Sequence, residues 1–219
     1  MKTVFVAGAN GRTGEKITKL LAKDGYEVIC LIRQEAPQPD FQVTGVKSVS
    51  GDLNGNISDC LKGVDAVICA AGAGIDDDPE EVDHVGTVRL IEQCVIEGIQ
   101  RFIMISSMGT NHQSSIPDLK PTLIAKQKTE TILEESTLVH TIIRPGRLTD
   151  DKPTGLVEAA RHLKHFGEIS RDDVARAAVL SLTMPEMENE SFDLIQGDIP
   201  IEQALLRITS VNSSTVFDE

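Results

Sequence analysis

Three observations predict an α/β protein with a Rossmann-type doubly wound parallel sheet, order 3-2-1-4-5-6, and helices on both faces. Strand and helix signals alternate from the start of the chain, several strands are continuous apolar runs, and a glycine-spaced turn joins the first strand to the first helix. An extra C-terminal strand follows the six. The strands are expected at "TVFVA" (3–7), "EVICLI" (27–32), "GVKSVSG" (45–51), "DAVICAA" (65–71), "RFIMIS" (101–106), "HTIIR" (140–144) and "SFDLI" (191–195). Runs 1, 4, 5 and 6 are β-branched and do not alternate with polar residues, as strands buried on both faces do. Helical periodicity marks 13–25, a short piece near 57–62, 79–98, 121–133 and 171–184. Strand, helix and strand joined by short links imply right-handed crossovers.

No repeat or linker divides the 219 residues, so one domain is expected over 1–219. Its C-terminal part, mainly 145–209, is expected to cover a substrate, and "TSVNSSTVFDE" reads as a frayed tail. Hydrophobic residues make up 40% and aromatics only 3%, with no Trp and the single Tyr26, so the core must be aliphatic. A net charge of −13 argues against nucleic-acid binding, which needs cationic residues for the phosphates. Cys30, Cys60, Cys69 and Cys94 form no C-x-x-C pair and no metal-ligand spacing occurs, so reduced thiols and no metal are expected. There is no charged-then-apolar leader and no run near ~18 apolar residues, which predicts a cytoplasmic protein with no membrane partner.

The first loop, "VFVAGANGRTGEKI", spaces Gly8, Gly11 and Gly14 as G-x-x-G-x-x-G between strand and helix. One glycine permits the turn, the second lets a pyrophosphate reach the backbone, and the third lets helix and strand pack closely. The helix start offers N–H donors, with Asn10, Arg12 and Thr13 beside them. A dinucleotide cofactor is predicted. At the end of the second strand, where an acid would bind the adenosine ribose, stands Arg33. A guanidinium clamps a 2′-phosphate, and Arg12 is placed to clamp it from below, so NADP(H) is preferred, with NAD(H) possible. The competing role for Arg33 is a solvated charge paired with Glu35. Asp52, followed by Leu53, is placed either to accept from the adenine amino group or to cap the next turn. Ala70, Ala71 and Gly72 are small enough for a flat cofactor to lie against the backbone.

The ordered set "GANGRTG", "GDL", "AAG", "RFIMISSMGT", "AK", "TIIRPGRLTD" and "ISRDDVARAAV" resembles the atypical short-chain dehydrogenase/reductase family, in particular its NmrA-like and flavin or biliverdin reductase-like branches. The resemblance covers nearly the whole chain. It implies that Ser107, beside Ser106, polarises a substrate carbonyl and that Lys126 holds the nicotinamide ribose. The family's acid is a tyrosine four residues before the lysine, and that position here is Thr122. An aliphatic hydroxyl is too weak an acid to replace a phenol. Tyr26 lies toward the opposite end of the sheet.

Three roles stay open. The chain is a reductase whose quinone-, flavin- or tetrapyrrole-like acceptor draws its proton from water; or His112 serves as the acid; or the fold binds the cofactor as a redox sensor without catalysis. Read alone, Lys126 is equally a solvated charge on a helix. Pro145 and Gly146 shape the backbone near the nicotinamide or make a rigid strand exit. The loop 147–168 is expected over the acceptor. Its Arg147, Arg161, His162, Lys164 and His165 either meet an anionic acceptor or form a solvated helix face.

Overall fold

The computed structural model describes residues 2–33, 41, 43–74, 77–110 and 119–210. Its centre is a nine-stranded sheet. The first six strands in order are β1 (Thr3–Ala7), β2 (Glu27–Ile32), β3 (Val46–Ser50), β4 (Ala66–Cys69), β5 (Arg101–Ile105) and β6 (Val139–Pro145). They lie parallel in the order 3-2-1-4-5-6, as predicted. β1 shows why the central strands read as unbroken apolar runs. Val4 and Val6 enter one core cluster while Phe5 and Ala7 enter the other. At the far edge, β3 carries its Lys47, Ser48 and Ser50 exposed, as a protected edge strand should.

Helices α1 (Arg12–Lys23), α5 (Arg171–Ser181) and α6 (Ile201–Ser210) pack on the first face. On the second lie α2 (Ser58–Leu61), α3 (Thr87–Ile96) and α4 (Lys120–Glu135). One predicted helix is two kinds of turn: Glu80–Gly86 is π-helical and continues into α3.

The stretch 147–168 corrects the expectation of a loop or helix face. It contains β7 (Arg147–Thr149) and β8 (Leu156–Ala160) and ends on β9 (Glu168–Ser170). β7 pairs with β9 in a small parallel sheet of their own. β8 instead joins the main sheet, antiparallel to β10 (Glu190–Gln196), which itself lies parallel to β6; β11 (Ile199–Pro200) closes the edge. The single C-terminal strand expected is thus three, and the C-terminal segment extends the sheet. Residues 211–219 of the expected tail lie outside the described residues, whereas its first two, Thr209 and Ser210, end α6. Among the described residues no helix is long and apolar enough to cross a membrane.

Candidate functional site

The sheet order reverses between β1 and β4, which opens a crevice at their carboxyl ends. The turn after β1 shapes its floor. Gly8 has φ +76°, and a side chain there would come 2.6 Å from the Ala71 nitrogen. Gly14 lies against the Gly8 carbonyl, where a Cβ would stand 2.1 Å from the oxygen. Any side chain at either position would force the strand, the helix and the β4 exit apart. The α1 cap residue is Gly11, and no side chain caps this helix, so its first-turn N–H groups are not claimed by a capping side chain. Such an end attracts anions.

The cleft holds about 350 Å³ and is lined by Gly8, Asn10, Gly11, Arg33, Asp52, Leu53, Ala70, Ala71 and Gly72, all expected from sequence. Leu31, Asn54, Asp77, Asp78, Glu81 and Val82 complete the lining. The turn, the uncapped helix start and the small-residue wall fit a dinucleotide.

Other expected residues stand elsewhere. Arg12 pairs with Asp150 at 2.9 Å and stands outside the cleft lining, so the structure does not bring it together with Arg33. Asp150 also takes Arg171 at 2.9 Å, and these two guanidinium groups hold its carboxyl below the usual range despite a desolvation effect acting the other way. Thr13 and Gly14 are buried within α1 rather than in the lining. Arg33 bonds Asp77 at 2.8 Å across the cleft mouth; Glu35, its expected partner, lies outside the described residues. Asp52 Oδ1 accepts from the Asn54 amide at 2.7 Å, which realises the turn-capping role with one oxygen.

Lys126 is buried, contrary to its solvated reading. Its ammonium lies 2.8 Å from Asp83 Oδ1 and 3.4 Å from the Ile105 carbonyl, and 3.9 Å from the point where a Gly72 Cβ would stand. It therefore sits just behind the cleft wall.

Ser106 does not reach the cleft. Its buried hydroxyl donates to Glu130 Oε1, while Arg144 donates twice to Glu130 Oε2, at 2.9 and 2.7 Å. Ser107, half-buried, donates to the Met108 carbonyl at 3.2 Å. Pro145 is buried at the end of β6, where its carbonyl accepts from Met108 N at 2.9 Å. Thr122 is half-buried in the first turn of α4. His112 lies outside the described residues. Tyr26 lines a cavity with Lys2 and Asp65 at the amino ends of the strands, and burial pushes its phenol up.

Three of the five basic residues pair with carboxylates. Arg147 bonds Glu168, Arg161 bonds Glu190 at 2.9 and 2.6 Å, and His165 meets Glu158 at 3.3 Å. His162 and Lys164 are exposed.

Asp83 and Glu130 were missed by sequence reasoning. Asp83 looks like one more acid in "PEEVDHVG"; the signal for Glu130 was Arg144, a charge in an otherwise buried strand that requires a partner.

Fold and cleft define an NAD(P)-binding protein of Rossmann type. A family profile described as NAD(P)H-binding matches residues 8–185, and the chain belongs to that family. YhfK of Bacillus subtilis, an uncharacterised protein described as a sugar epimerase, is 38% identical over 94% of this chain and 99% of its own. The sanguinarine reductase of Eschscholzia californica is 28% identical over 88% of each chain. A solved Bacillus halodurans structure, provisionally described as an NAD-dependent epimerase/dehydratase, superposes with a TM-score of 0.89 at 29% identity, covering 95% of this chain and all of its own.

Proposed function

We propose that this protein is an NADP(H)-dependent reductase passing hydride to a small quinone-, flavin- or tetrapyrrole-like acceptor. The observation that carries the reading is Lys126, buried behind the small-residue wall of a dinucleotide cleft while Thr122 stands where the family's phenol would be. The bound cofactor would supply hydride from its nicotinamide. Lys126 would hold the adjoining ribose and Ser107 would orient the acceptor. An acceptor that takes its proton from water needs no phenol. A nicotinamide-dependent epimerase that oxidises a carbinol and reduces it again needs a proton acceptor and donor at the oxygen, and a threonine hydroxyl serves that poorly. A relative named for reducing sanguinarine supports reduction.

Arg33 on the cleft lip supports NADP(H) over NAD(H), because a guanidinium binds a 2′-phosphate and cannot accept a ribose hydroxyl hydrogen. With a chain of net charge −13, the acceptor is a small molecule rather than a nucleic acid, and a cytoplasmic site of action is part of the same reading. Purified protein with NADPH is to be offered quinones, flavins and indophenol dyes while the reduced-nicotinamide absorbance is followed. At least one class should accelerate oxidation. Tight NADPH binding with no accelerated acceptor would favour instead a redox sensor, the second reading that Thr122 supports.

A further inference from the structure

We propose that Asp83 is a positioning residue that fixes the Lys126 ammonium behind Gly72, where it meets the nicotinamide-side ribose; this rests on the reading of Lys126 as the ribose lysine. The Asp83 side chain is 0% exposed and that of Lys126 10%. Asp83 Oδ2 accepts from the Ala73 amide at 3.1 Å, which ties it to the β4 exit that lines the cleft. Its Oδ1 faces the lysine at 2.8 Å but accepts no hydrogen bond, so the contact is an ion pair off the bonding direction. A Cβ on Gly72 would stand 3.3 Å from that same oxygen. The pair therefore sits one layer behind the cleft wall.

Three further contacts zip the π-helical turn to α4. Thr129 donates to the Asp83 carbonyl at 2.7 Å, His84 Nδ1 meets Thr129 Oγ1 at 3.1 Å, and Lys128 bonds Glu80 at 2.9 Å. With those in place the elements do not need a buried ion pair to dock. Such pairs add little net stability, because desolvation offsets attraction. What the pair does add is direction. A lysine stem is long and flexible, and Asp77, Asp78 and Glu81 on the cleft wall offer competing carboxylates. A carboxylate anchored to Ala73 keeps the ammonium from them.

The test compares Asp83→Asn, Lys126→Met and the double variant, with NADPH and with 2′,5′-ADP, which carries only the adenosine half. Affinities come from calorimetry, and the emission shift of bound NADPH reports immobilisation of the nicotinamide. Asp83→Asn should weaken NADPH roughly tenfold and lose the emission shift, while 2′,5′-ADP stays within about twofold. In the Lys126→Met background the asparagine should change nothing more. Lys126→Met leaves the Asp83 carboxylate buried alone, as Asp83→Asn leaves the lysine, so each single variant is first checked for native unfolding; the double variant carries neither charge, and its NADPH loss should equal that of whichever single variant folds. Equal losses for both ligands, or a further loss in the Lys126→Met background, would overturn the positioning role. If Asp83→Asn binds like wild type while Lys126→Met is weakened, the positioning role alone fails; if Lys126→Met is itself unaltered, the ribose reading fails with it.

Discussion

Arg33 meets a competitor before any cofactor arrives. Its guanidinium bonds Asp77 across the cleft mouth, with the two side chains 51% and 33% exposed. A pair so wet contributes roughly 1 kcal/mol at most, so a 2′-phosphate can displace the carboxylate at small cost. Asp77→Asn should therefore raise NADPH affinity about threefold and leave NADH unchanged. Arg33→Ala should lower NADPH affinity selectively, and calorimetry with both cofactors reads both variants. An unchanged NADPH affinity in Arg33→Ala would remove the clamp, and with it the reason to prefer NADP(H). Arg12→Ala should leave both cofactors alone, because that residue stands outside the cleft lining. Arg33 was legible in the sequence, since its position follows from counting along the second strand. Asp77 was not, because it approaches from 44 residues away.

Helix α4 was recognised by its period, which put Thr129 on the inner face but assigned the charges between to water. Lys126, Thr129 and Glu130 are all buried. They follow one another at helical spacing on the side that meets the π-helical turn and β6, and only those neighbours reveal that polar partners wait there. Glu130 takes both Arg144 bonds and the Ser106 hydroxyl within a site where neither charge sees solvent. Arg144→Met leaves a buried carboxylate facing only hydroxyls and should cost about 3–5 kcal/mol in denaturant unfolding at pH 7. Adding Glu130→Leu should recover much of it. On the neighbouring strand β10, burial raises the Asp193 carboxyl above its usual range, although the Leu163 amide at 2.9 Å and the Arg144 charge both favour the anion. The fold thus holds this proton more tightly than the unfolded chain does. Its favourable contribution is complete below the unfolded value of about 3.9 and is lost as pH rises through the higher folded value. Asp193→Asn keeps an acceptor for Leu163 and should raise Tm at pH 7, with the gain vanishing near pH ~3.5. A variant no more stable at pH 7 would show that Arg144 already offsets the burial.

Across the whole molecule, the six-strand order could be read in advance because parallel strands announce themselves by apolar runs flanked by helices. β7, β8, β9 and β11 could not, being two to five residues long, with their pairing set by partners distant in sequence. Those short strands bear on whether the part expected to cover a substrate unfolds alone. β10 bonds β6 along its length and β8 bonds β10, so the C-terminal segment shares the sheet. The opposite face is tied as well: α5 packs on α1, Lys16 bonds Asp172 at 2.6 Å, and Asp150 links Arg12 to Arg171. Separate melting would strip β6 of its neighbour and expose Phe192 and Leu194 from a continuous core. A single cooperative transition is therefore expected. The chain has no Trp, and Phe166, 52% exposed between β8 and β9, can be replaced by one with little strain. In Phe166→Trp, indole emission reports the C-terminal part while far-ultraviolet circular dichroism reports the whole sheet. The two melting curves should coincide, and NADPH at a hundred times its Kd should move both by the same amount, about 2.7 kcal/mol. An indole transition that precedes the loss of helix and strand signal, and that NADPH leaves in place, would make the covering part a unit of its own.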